Sequence, residues 1–194
     1  MTAKKILCAT IIIVCSMNCF AQQQKQNAIA NLYSINNVGL IEGEAGSAFQ
    51  LETINGLKYK SWFAGVGLGL DFYRIRTVPL FAHIRKEFGK TVNRFFLFGD
   101  AGIDFGWRTD KETKQFPVND KLKNGFYAQA GAGYTFRLSP VNNLSFSLGY
   151  SYKTLTEFGS NYTYIGYGAE AMPVKDSKIS YHLNRFVIKA GFEF

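Results

Sequence analysis

Segments of about ten residues in which every second side chain is apolar recur along this chain, and they constrain its fold more than any other feature. In one, Trp62, Ala64, Val66, Leu68, Leu70 and Phe72 alternate with Phe63, Gly65, Gly67, Gly69, Asp71 and Tyr73. Successive side chains on a strand point to opposite faces, so this spacing gives a β-strand with two unlike faces. A second segment sets Phe95, Leu97, Gly99, Ala101, Ile103, Phe105 and Trp107 against Phe96, Phe98, Asp100, Gly102, Asp104 and Gly106. A third sets Phe126, Ala128, Ala130, Ala132, Tyr134 and Phe136 against Tyr127, Gln129, Gly131, Gly133, Thr135 and Arg137.

Leu144 to Lys153 and Arg185 to Phe194 alternate in the same way, and Val78 to Phe88 does so more weakly. Closing a sheet needs two more strands before Gly56, placed at Asn36–Gly43 and Ser47–Ile54, where the alternation is poor. The total is eight, an even count and the smallest in ordinary single-chain transmembrane barrels. With the N-terminus on one side, the connections Asn55–Lys60, Gly89–Asn93 and Leu138–Asn142 share that side and are short. The connections Arg108–Gly125 and Thr154–Leu183 lie opposite and are long, which is the asymmetry of a barrel with short periplasmic turns and longer outer loops.

The N-terminus reads as an export signal over residues 1–21: Lys4 and Lys5, an apolar run from Ile6 to Val14, and the cleavage site Cys19-Phe20-Ala21. Cys8, Cys15 and Cys19 all fall within it, so the mature chain is expected to lack cysteine. Loss of Lys4 and Lys5 takes the net charge from +8 to +6. In an exported chain that excess favours lipid phosphate over nucleic acid as its anionic neighbour. No run of 18 apolar residues occurs in the mature part, so a helical span is excluded, whereas strands of 9–11 residues suffice for a barrel. Residues 22–35 are then a short N-terminal periplasmic segment and 36–194 the barrel domain.

Which face meets lipid is decided by where the aromatics sit. Trp62 and Phe72 bracket one apolar face, Phe95 with Phe105 and Trp107 another, and Phe126 and Phe136 a third, with aliphatic residues or alanine between. Two aromatic girdles flanking a hydrocarbon band give this pattern. A soluble core would place its aromatics centrally.

With these Gly-aromatic strands and a terminal strand in which Phe186, Ile188, Phe192 and Phe194 share a face, the chain resembles the small eight-stranded outer-membrane β-barrel family. The likeness is to the OmpA-like and OmpX-like barrel domains, in particular Bacteroidetes-type outer-membrane proteins whose signal ends in Ala-Gln, as Ala21-Gln22 does here. It implies an all-β fold: an antiparallel up-and-down transmembrane barrel in the outer membrane of a Gram-negative envelope, following a cleaved signal peptide. It also implies that Phe186, Ile188, Phe192 and Phe194 act as the insertion signal read by the barrel assembly machinery. Outer-membrane lipid and lipopolysaccharide are the other expected partners. A monomer is expected, with no cofactor, metal or nucleic acid.

An eight-stranded barrel has a lumen that side chains fill. Asp71, Arg85, Glu87, Asp100, Asp104, Arg137, Lys153, Arg185, Lys189 and Glu193 are expected there as a charge network that plugs it, since buried charges must be paired. His83 is expected in the wall as a satisfied structural residue. His182 near Ser180 is the one pairing that invites a lipid A-modifying reading, although its order departs from that of the lipid A deacylase barrels. The mixed-charge loop Arg108–Gly125 and the Tyr/Gly-rich segment Ser160–Gly168 remain as surface elements, the latter extending two strands beyond the membrane or presenting an adhesive face. The leading expectation is a non-enzymatic, plugged barrel with a structural or surface-interaction role through its outer loops. A narrow, porin-like channel or transport-associated barrel is the alternative, and lipid A modification comes third.

Overall fold

Nine strands carry this alternation in a computed structural model that describes residues 30–89, 92–107, 121–163 and 172–194. In chain order they are β1 Asn31–Gly43, β2 Gly46–Tyr59, β3 Trp62–Asp71, β4 Thr77–Phe88, β5 Arg94–Gly106, β6 Lys121–Lys123, β7 Gly125–Arg137, β8 Asn143–Thr163 and β9 Met172–Glu193. Each main strand pairs antiparallel with the next, and β6 and β7 both pair with β8 as one wall strand interrupted at Asn124. The last strand returns to the first, in register from Ile35↔Glu193 to Gly43↔Arg185. Reciprocal backbone hydrogen bonds between Ser34 and Phe194, 2.8 and 3.0 Å, extend that seam. The result is a closed, eight-stranded antiparallel barrel in which the last strand pairs with the first.

Alternation decides what faces inward. Odd positions of β3 and β4 point into the lumen, as do even positions of β5 and odd positions of β7. The opposite positions form an exposed outer surface dominated by apolar residues; Val66 is 60% exposed, Leu148 64% and Phe186 68%. A protein whose exterior is apolar and whose interior holds its charges is inverted relative to a soluble one. Apolar side chains also enter the lumen in two small clusters, Ile35, Ile54, Phe63, Phe81 and Tyr127 in one, Ile41, Tyr73, Leu183 and Val187 in the other.

Three boundaries differ from the sequence reading. The first strand begins at Asn31 rather than Asn36. The second runs on to Tyr59, so the turn is Lys60–Ser61 and not Asn55–Lys60. Asn55-Gly56 has the composition of a hairpin turn, yet it lies within β2, with Gly56 opposite Gly65. A Cβ at Gly56 would fall 2.1 Å from the Ala64 carbonyl oxygen, so here glycine serves close strand approach, not a turn. The third difference is the expected loop Thr154–Leu183, most of which is strand: β8 and β9 stay paired as far as Thr163↔Met172, with a bulge between Asn161 and Tyr162. Of the segment Ser160–Gly168, residues 160–163 therefore prolong β8. Residues 164–171, residues 108–120 of the mixed-charge loop, and the export signal at 1–21 lie outside the described residues.

Glycine is also required where the lumen wall is tight. At Gly102, which faces inward on β5, an added Cβ would lie 2.0 Å from the Leu80 carbonyl oxygen and 2.6 Å from the Phe81 Cα. Neither backbone atom can move without disturbing the β4–β5 ladder. Gly102→Val is expected to cost about 1–3 kcal/mol of stability, seen as a lowered denaturant midpoint. Gly99→Ala, whose Cβ would meet only Ile84 Cγ2 at 3.9 Å, should leave the midpoint in place.

Candidate functional site

The lumen charges fall into three layers. Near the end opposite the termini, Arg185 donates to the Asp71 carboxylate and, through its other terminal nitrogen, to Ser151 Oγ at 2.6 Å. Lys153 Nζ sits 3.1 Å from Asp71 Oδ2 and 3.8 Å from Asp104 Oδ2, and donates to Thr77 Oγ1 at 3.0 Å. The Tyr73 backbone N–H donates to the remaining Asp71 oxygen at 2.8 Å. Asp71, Lys153 and Arg185 are all fully buried, so this layer is held by charge-assisted hydrogen bonds in a low-dielectric site.

The middle layer turns on Glu52. Lys189 Nζ lies 2.6 Å from Glu52 Oε2 and 4.0 Å from Asp100. Gln50, Tyr127 and Asn37 also donate to Glu52, at 2.6, 3.2 and 3.2 Å. His83 Nδ1 is 2.5 Å from Asp100 Oδ1, so the ring is buried and oriented by a carboxylate. At the end that carries the termini, Arg85 reaches Glu193 at 2.6 Å and Thr135 at 2.5 Å, and its guanidinium lies 3.6 Å from the centre of the Phe96 ring. Glu87 accepts from Lys58 at 2.6 Å and from Arg94 at 2.7 Å, and Tyr33 donates to Glu193 at 2.6 Å.

Nine of the ten residues predicted for the network therefore have buried side chains within the lumen: Asp71, Arg85, Glu87, Asp100, Asp104, Lys153, Arg185, Lys189 and Glu193. Arg137 is the exception. It is the last residue of β7 and exposed, and it donates to the turn carbonyls of Ser139 and Pro140 at 3.2 and 3.4 Å. The alternation points it inward, but the wall ends before the lumen can enclose it. Sequence reasoning missed Glu52, Lys58 and Arg94. The first two sit on inner positions of β2, a strand whose outer face is too polar for the alternation to show. With them, among the described residues, the carboxylates Glu52, Asp71, Glu87, Asp100, Asp104 and Glu193 meet the cations Lys58, Arg85, Lys153, Arg185 and Lys189 and, at the rim, the half-exposed Arg94, which brings this part of the lumen close to neutral. A cavity of about 20 Å³ beside His83, Arg85, Ser145 and Lys189 has room for a single water.

On the outer wall, Trp62, Phe95 and Phe136 ring the end with the short turns, while Phe72, Phe105, Trp107 and Phe126 ring the other; all seven are exposed. Phe186, Ile188 and Phe192 lie on the outer face of β9 and Phe194 follows its end; all four are exposed. His182 is exposed on the outer face too, where its Nδ1 lies 2.8 Å from the Tyr152 hydroxyl; its bond is to Tyr152, not Ser180.

No protein-family model matches the chain, and no curated protein matches it. Solved structures do. The outer membrane protein AlkL, determined by solid-state NMR in DMPC lipid bilayers, aligns over 89% of this chain and 93% of its own, with a TM-score of 0.51 and 9% identity. The shared feature is the fold, a small closed antiparallel barrel. The outer membrane protein OprG from Pseudomonas aeruginosa aligns over 88% of this chain and 99% of its own at a TM-score of 0.48 and 13% identity. Neisserial surface protein A aligns over 86% and 96% at 0.47 and 10%.

Proposed function

We propose that this chain is an integral outer-membrane protein whose barrel is closed to permeation by its own side chains and acts, without catalysis, as a structural and surface-interaction element. The observation that carries the reading is the inversion of the wall: apolar residues between two aromatic rings outside, and paired charges filling the lumen inside. Such an exterior is stable in hydrocarbon and would aggregate in water. Both described chain ends and the turns Lys60–Ser61 and Leu138–Asn142 share one rim, which fits the periplasmic side.

The surface role rests on the β8–β9 arm. From Phe186 in the upper aromatic region, β9 reaches back to Met172 still paired with β8, roughly 45 Å of strand at about 3.3 Å per residue. That length exceeds what the bilayer needs and carries the arm into the layer of lipopolysaccharide and neighbouring cell-surface components. The exposed Phe186–Phe194 face, which runs from that region down to the opposite rim, is available to the barrel assembly machinery during insertion.

The test is conductance. Refolded protein in a planar bilayer is expected to give no sustained single-channel steps, while running faster on gels unboiled than boiled, as closed barrels do. Steady unitary currents from such a preparation would show that the charge network is a pathway and not a plug.

A further inference from the structure

One part of the outer wall breaks its apolar character. Ser34 and Asn36 point outward on β1 and stand directly across from Asn55 and Thr53 on β2, so four hydroxyl or amide side chains form a contiguous patch. Apolar residues surround it: Val38 paired with Leu51 on one side and Leu32 paired with Leu57 on the other. Across the neighbouring ladders, Phe192 lies beside Asn36 and Val66 beside Asn55.

The patch lies within the band and not at its edge. Asn55 is four residues along β2 from Tyr59, which joins Trp62 in the lower aromatic ring. At about 3.3 Å per residue and a tilt near 40°, that places it roughly 10 Å into the hydrocarbon, with Thr53 deeper still. Asn36 and Asn55 are exposed, and among the described residues no hydrogen bond engages any of the four side chains. Hydrocarbon offers such groups no partner, and membrane-embedded Ser, Thr and Asn at protein contacts act as hydrogen-bonding glue.

We propose that this patch is the contact between two copies of the chain. Each of its four side chains carries both a donor and an acceptor, so the patch is hydrogen-bond complementary to itself. A twofold axis along the membrane normal keeps every residue at its depth and sets β1 of one protomer against β2 of its partner. Asn36 then meets the amide and hydroxyl of Asn55 and Thr53, which lie at similar depth. Self-complementarity of a single patch is what a twofold contact requires, and the absence of charge removes like-charge repulsion between the protomers. The contact departs from the monomer expected of the sequence.

Disulfide trapping in phosphatidylcholine vesicles tests this, in a full chain whose Cys8, Cys15 and Cys19 are replaced by serine. Reconstituted together, Asn36→Cys and Asn55→Cys proteins are expected to cross-link to each other on mild oxidation, giving a band at twice the monomer mass. Leu97→Cys, on the opposite wall near the same depth, should stay monomeric. In the doubly labelled Asn36→Leu/Asn55→Leu protein, energy transfer between copies is expected to be lost while gel heat-modifiability persists. The proposal is overturned if the two asparagine positions cross-link no more than Leu97→Cys, the result expected of a patch covered by lipid headgroups or by a different protein. Energy transfer that survives in the leucine variant overturns it equally. Should that variant not fold, the cysteine comparison decides alone.

Discussion

Asp71→Ala is expected to destabilise the folded barrel by about 3–5 kcal/mol, the range for stranding one side of a buried ion pair. Asp71 binds Arg185, stands 3.1 Å from Lys153 and accepts from the Tyr73 backbone, all in the buried interior. Its removal leaves two buried cations with Asp104, 3.8 Å from Lys153, as the carboxylate nearest that lysine. Denaturant unfolding in bilayers, followed by fluorescence of Trp62 and Trp107, measures the loss. Replacing both partners, Asp71→Leu with Arg185→Leu, should recover much of it, because the cost arises from an uncompensated charge and not from a missing bond. If the single variant unfolds at the wild-type midpoint, the network does not hold the lumen.

The second large effect belongs to the outer wall. Ala130 faces outward on β7, with Phe126 towards one aromatic ring and Tyr134 and Phe136 towards the other. Ala130→Arg puts a cation at mid-depth and is expected to cost about 2–4 kcal/mol, whereas the same change at Leu144, paired with Phe136 at the rim, costs about 0–1. The native chain follows the same depth rule: Lys86 faces outward at the rim, with its ammonium 4.3 Å over the Trp62 ring, where it can reach water. Equal and negligible costs at both sites would mean that the surface is not in lipid.

What the sequence revealed and what it hid follow from the same physics. Strands β3, β5 and β7 were legible because each sets an apolar outer face against a polar, charged or small inner one. β1 and β2 were not, because their patterns are partly reversed. Ile35, Ile41 and Ile54 point into the lumen while Ser34, Asn36, Thr53 and Asn55 point outward. Hydropathy alternation then cancels, and with it went Glu52 and Lys58. The β8–β9 arm was hidden for another reason. Beyond the bilayer neither face of the hairpin has to be apolar, so Thr154 to Thr163 has no reason to alternate strongly and reads as loop. Arg137 shows the remaining blind spot, since alternation gives a side chain's direction but not whether the wall extends far enough to bury it.

Residue-by-residue accessibility along the terminal strand tests the inverted barrel most directly. Spin labels placed singly from Phe186 to Glu193, in the cysteine-free background and in lipid vesicles, report collisions with lipid-soluble oxygen and with a water-soluble nickel chelate. Positions 186, 188, 190 and 192 are expected to be open to oxygen and closed to nickel, while 187, 189, 191 and 193 are protected from oxygen by the packed lumen. Nickel access at the outward positions equal to that of a soluble protein, or oxygen access without a period of two, would contradict a closed barrel with lipid outside and paired charges within.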